Sequence, residues 1–164
     1  MEYMKLNPIE REALLAELGG MADYLRTALS DLTPEQARMP GADGAFSPVE
    51  QAWHLADLER DGFAQRIRRL LIEVDPLLPD FDGTKIAIDR NYRSLSLEDG
   101  LSAFARVRAE NIALLRSIDE ISWWRSGTQE GVGSVTLCDM PGFMAQHDAS
   151  HRVEIEAWYT RFGQ

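Results

Sequence analysis

The sequence predicts an all-α fold, a four-helix bundle with one long crossover connection. Two observations carry this reading: capping signals stand at well-separated places, and apolar residues recur at helical spacing behind them. A third supports it, since no stretch shows the alternation of a half-buried strand. At 164 residues the chain is expected to form one domain, 1–164, long enough to bury a core without staples.

Asn7-Pro8-Ile9-Glu10 reads as a cap, a proline at the first helical position and a glutamate three residues after the cap. Leu14, Leu18, Met21, Leu25, Leu29 and Leu32 continue that helix, with Gly19-Gly20 as its weak point. Thr33-Pro34-Glu35-Gln36 is a capping box for a short turn before Pro40, and 41–44 is a loop. Ser47-Pro48-Val49-Glu50 opens a second helix expected to run to about Val74, with Val49, Trp53, Ala56, Phe63, Ile67, Leu70 and Val74 as its apolar stripe.

Residues 76–95 form the longest irregular stretch, and Phe81, Ile86, Ile88 and Tyr92 give it something to pack with. Antiparallel neighbours need no such length, so a crossover along the bundle is expected. Ser96-Leu97-Glu98-Asp99 starts the third helix, whose buried face carries Leu101, Phe104, Leu115 and Ile118. Arg108 and Asn111 fall on the same line, either as a satisfied buried pair or as the lining of a polar pocket. A second loop, 123–133, precedes a last helix capped by Thr136 or Asp139 and running to about Phe162. Pro141 falls early in it, where a missing N–H costs least.

The chain has three histidines, and their placement points to one metal site. His147 and His151 lie four apart in HDASH. Such positions stand about 40° apart on one helix face, one turn apart. His54 lies on the first turns of the second helix, from which a bundle can bring it across. Three neutral nitrogens with an open position are the arrangement of a catalytic zinc site. Glu154 follows His147 by two turns, as an acceptor for a ligand N–H or a neighbour of the open position. Asp57 is a candidate partner for the His54 ring.

HDASH also has the outline of the zincin motif, with Asp148 in place of glutamate. The shorter carboxylate, and the lack of a downstream histidine, argue against that reading. A di-iron bundle needs a second E-x-x-H, which is missing. Cys138, the single cysteine, lies roughly opposite His147 in azimuth and is expected to be semi-buried and not a ligand. It allows no intrachain disulfide, in keeping with a reducing, cytoplasmic location. The net charge of −10 argues against nucleic acid or anionic membrane as partners. The first residues lack the basic-then-apolar pattern of a secretion signal, and no apolar run has the length of a membrane span.

These residues resemble the DinB/YfiT-like superfamily of metal-binding four-helix proteins. The resemblance covers nearly the whole chain, through TPEQAR, SPVEQAWHLADLE, PDFDG, NYRSLSLEDGL and WWRSGTQEGVGSVTL, and most strongly through HDASHRVEIEAW. His147, Asp148, His151 and Arg152 match the family pattern there, while Glu154 stands where glutamine is usual. The resemblance implies a long crossover, a His54–His147–His151 site for zinc or nickel, and homodimers. Two chemistries on a small-molecule substrate occur among such relatives, and the resemblance does not choose between them. The first is thiol S-transfer, in which a low-molecular-weight thiol is activated on the metal; Arg93, Arg108, Asn111 and Arg125 are this sequence's candidates to bind the thiol cofactor, since arginine suits a carboxylate. The second is metal-assisted hydrolysis, with Asp148 or Glu154 as the candidate general base. A non-enzymatic binding or stress-response module is the third reading, because fold does not determine function.

Overall fold

The computed structural model describes residues 5–162; residues 1–4 and 163–164 of the expected domain lie outside the described residues. Helix α1 (Pro8–Gly19) starts at the expected box, where Asn7 and Glu10 exchange hydrogen bonds of 2.9 Å. The first helix is two helices. The Gly20 amide bonds to Glu17 O at 3.0 Å, a three-residue spacing that tightens the turn, and α2 (Met21–Leu29) starts at once. Helix α3 (Pro34–Ala37) and helix α4 (Pro48–Asp57) open at their boxes on Thr33 and Ser47.

The second long helix is not uniform either. A π-helical turn, Leu58–Phe63, separates α4 from α5 (Ala64–Ile72). The rod ends at Ile72 because Glu73 becomes extended and Asp75 takes a left-handed φ of 47° ahead of Pro76. Val74, expected on the apolar stripe, is therefore exposed.

The crossover has more structure than expected. It holds strand β1 (Leu77–Leu78), helix α6 (Gly83–Asp89) and a 3₁₀ turn over Tyr92–Ser94. Asp57, fully buried on α4, anchors it: the Tyr92 hydroxyl donates to Asp57 Oδ2 at 2.6 Å, and Arg90 pairs with the same oxygen. Asp57 is thus turned to the crossover and is not a partner of the His54 ring.

Helix α7 (Leu97–Arg116) follows the Ser96 cap, and α8 (Met140–Phe162) completes the bundle. Thr136 and Asp139 form a reciprocal cap on the 3₁₀ turn that precedes α8. Cys138 in that turn is fully buried in the core, deeper than the semi-buried place expected of it.

The expectation of no strand is corrected. Strand β2 (Ser126–Gln129) pairs antiparallel with β3 (Gly133–Thr136) and parallel with β1. Strands of two to four residues are too short for alternation to register in a sequence. Gly127 permits the sheet, since a Cβ there would stand 2.7 Å from Pro76 O.

The four rods α1–α2, α4–α5, α7 and α8 pack as a bundle, with α4 on α7 and α1 on both α7 and α8. The core falls into two apolar halves. One gathers Leu15, Leu18, Phe63, Ile67, Leu115 and Met144, the other Met21, Leu25, Leu55, Phe104 and Ile155. Between them along the rods lies a buried polar layer of Glu59, Arg108, Asn111 and Asp148. No helix among the described residues is long and apolar enough to cross a membrane.

Candidate metal centre

The three histidines meet. The Ser47 box starts α4 so that His54 comes off its second turn, and the unbroken α8 carries His147 and His151 on one face. His54 Nε2 stands 3.3 Å from His147 Nε2, which stands 3.0 Å from His151 Nε2. Metal–nitrogen bonds of about 2.0–2.1 Å in a tetrahedron place ligand nitrogens about 3.3 Å apart. These two spacings fit a zinc-sized ion, with all three nitrogens within 4.8 Å of one another.

Hydrogen bonding sets the orientation of one ring. His151 Nδ1 meets Gln51 Oε1 at 2.6 Å, and a carbonyl oxygen only accepts, so the proton lies on Nδ1. The Nε2 lone pair of His151 then faces the site. Gln51 Nε2 donates in turn to Glu154 Oε2 at 2.6 Å, and Glu154 also lies 3.3 Å from His151 Nδ1. The bond from His151, then that from Gln51, hold the Glu154 carboxyl below its ordinary range against the opposing effect of burial. A carboxylate, an amide and an imidazole form one chain behind the candidate ligand nitrogen, the usual support of a metal-binding histidine. Sequence reasoning missed Gln51. Its signal was its position three before His54 on a capped helix, one turn away on the same side.

Burial, then the neighbouring His151, pushes His54 down to about 4. Burial, then His151 and His54, pushes His147 down to about 3. Both are neutral at pH 7 and offer lone pairs. His147 Nε2 is in contact with both other Nε2 atoms, and lone pairs so crowded repel one another unless a cation or protons lie between them, while the Nδ1 proton of His151 points to Gln51 on its far side. The donor set thus fits a divalent ion. His54 Nδ1 is buried and has no hydrogen-bond partner among the described residues. Gly83 closes over that ring, where a Cβ would stand 2.6 Å from Cε1 and 2.9 Å from Nδ1.

The other expected site residues lie elsewhere. Arg108 forks onto Asp148 at 2.7 and 2.9 Å, reaches Glu59 at 2.7 Å and donates to Leu18 O at 3.0 Å. Asn111 donates to Glu59 at 2.9 Å. These are buried groups paired with carboxylates and backbone, as in the first alternative, with only the Arg108 Nε left without a partner among the described residues, and they do not line the cleft beside the histidines. Burial opposes the charge on Arg108, yet the hydrogen bond of Asp148 and the charge of Glu59 outweigh it and raise its pKa. Asp148 is held by this fork, turned from the imidazole nitrogens into the polar layer. Arg93 pairs with Glu50 at 3.0 Å on a half-open face. Arg125 donates to Leu70 O and Glu73 O at 2.7 and 2.9 Å, tying down the end of α5.

A cleft of about 410 Å³ opens beside His54 and His147, walled by Leu58, Phe63, Phe81 and Phe143. Arg93, Arg108, Asn111 and Arg125 are not on it. The π turn, a device common at functional sites, ends at Phe63, which lines the cleft from the same rod as His54.

Bundle, crossover and three-histidine cluster together define a helical protein with a candidate metal site at the mouth of a small cleft. Residues 17–155 match the model of the DinB superfamily, and the chain belongs to that family. It is 27% identical over 155 residues to a Geobacillus kaustophilus protein provisionally named a metal-dependent hydrolase, covering 94% of this chain and 86% of that one. A Bacillus licheniformis protein of the same provisional name is 26% identical over 155 residues, covering 94% and 88%. Among solved structures, YfiT from Bacillus subtilis superposes with a TM-score of 0.89 at 19% identity, over 99% of this chain and 93% of that one. YfiT is described as a probable metal-dependent hydrolase with an unusual four-helix bundle topology, and the likeness establishes the fold.

Proposed function

We propose that this protein is a metal-dependent hydrolase of a small molecule, with His54, His147 and His151 holding a zinc or nickel ion. The convergence of three imidazoles at an open cleft, with His147 Nε2 within 3.3 Å of both other Nε2 atoms, carries the reading. The provisional names of the relatives agree with it. A divalent ion on three neutral nitrogens supplies Lewis acidity and lowers the pKa of water toward neutrality.

The protein's own groups orient and enclose. Gln51 and Glu154 fix the His151 ring, Gly83 seats the His54 ring, and the aromatic wall of the cleft excludes water from one side. Asp148 is committed to Arg108, and Glu154 to Gln51 and His151, so neither is a free general base. Thiol transfer draws no support from the names of the relatives, and the arginines considered for a thiol cofactor lie off the cleft.

The test is turnover of small esters and amides by protein loaded with zinc or nickel, beside His147→Ala. Thiol-independent turnover that is lost in the variant is expected. Activity only with added thiol would replace hydrolysis by transfer.

A further inference from the structure

The cleft contains a second polar feature, remote from the imidazoles in chemistry. Arg66, on α5, lines it and is 7% exposed. Its Nη2 makes one long bond of 3.4 Å to Pro79 O, and its Nε is buried with no partner among the described residues. Gln129, the last residue of β2, lines the same cleft at 9% exposure, and its buried Oε1 also lacks a partner. Arg11 and Arg108 also leave a buried Nε without a partner, but both guanidiniums pair with carboxylates, whereas Arg66 pairs with none among the described residues and shares its cleft with a second unsatisfied atom.

Besides the histidines, the rest of the wall carries two exposed polar side chains, Asp80 and Gln146, and is otherwise apolar and aromatic; none of these side chains hydrogen-bonds the guanidinium. Phe63 lies under it at 5.6 Å, which keeps its plane oriented. Asp80 stands at the rim, exposed, and forms no ion pair with Arg66; its field offsets burial only in part, and the Arg66 pKa is lowered. A guanidinium with no carboxylate partner, its Nη2 held only by that long bond to Pro79 O, suits a carboxylate, whose two oxygens it meets side by side. The Gln129 amide can turn its NH₂ inward and supply a further donor.

We propose that this cleft selects a small substrate with an apolar body and a carboxylate end, the carboxylate held by Arg66 and Gln129 and the body lying on Phe63, Phe81 and Phe143. The hydrolase reading above supplies only the orientation, with the scissile group toward the histidines. Recognition of the carboxylate is measured without turnover, so the two readings fail separately.

The experiment titrates zinc-loaded protein with 3-phenylpropionate and with its neutral amide, 3-phenylpropanamide, by calorimetry or NMR. The carboxylate is expected to bind tighter by roughly tenfold or more. In Arg66→Met that preference disappears, in Arg66→Lys part of it returns, and zinc content stays unchanged. Should Arg66→Met not fold, Gln129→Leu serves, with weaker carboxylate binding expected and unchanged binding counting against the proposal. Equal binding of the two probes by the unaltered protein overturns it. So does a preference that survives in Arg66→Met and vanishes when zinc is removed, since the carboxylate then sits on the metal.

Discussion

Replacing Arg108 with methionine tests the polar layer on which the site rests. The guanidinium is 2% exposed and bridges Asp148, 5% exposed, to Glu59, 1% exposed. Methionine keeps most of the stem but removes four hydrogen bonds. Two carboxylates then remain buried, with Asn111 still donating to Glu59. Removing one partner of a buried ion pair typically costs about 3–5 kcal/mol, a large share of a domain stability of about 5–15 kcal/mol. Urea unfolding followed by circular dichroism at pH 7 measures the loss. A value below about 1 kcal/mol would refute the reasoning.

Other expectations concern the histidines. Gly83→Ala drives a methyl into the His54 ring, so metal affinity in chelator competition should fall at least about tenfold while helix content holds; unchanged affinity would mean the ring has room to move. Gln51→Leu should weaken metal binding by about 10–100-fold without unfolding the bundle, and a smaller effect would reduce the amide to a packing role. In metal-stripped protein, His54 is held near 4 against an ordinary 6.5, so the unfolded chain takes its proton first as pH falls. The stability present above pH 6.5 should therefore drop by about 3 kcal/mol between there and pH 4 from this group alone, with His147 adding loss toward pH 3. Flat thermal melts over that window would contradict the burial of these rings.

Local rules were legible in the chain. The boxes on Asn7, Thr33 and Ser47 start helices where the residue order says they must, because each cap is closed within four residues. The pairing of His147 with His151 is equally local, a matter of helical pitch. Interruptions were less legible: the π turn at 58–63 and the break at Gly20 are small hydrogen-bond shifts that leave the apolar period almost unchanged.

What the sequence by itself determined was therefore the helices, their apolar faces and three imidazoles suited to a metal. Only the tertiary structure decided what each polar group meets. Arg108 could have faced a ligand, and packing turned it to Glu59 and Asp148. Asp57 could have oriented His54, and packing gave it to Tyr92 and Arg90. Gln51 took the supporting role at His151, and Arg66 was left at the cleft with an unsatisfied nitrogen. The physical reason is range: caps and helical pitch act within a few residues, whereas buried polar partners are chosen by proximity across 40 to 100 positions of chain, as Arg108–Asp148 and His151–Gln51 are.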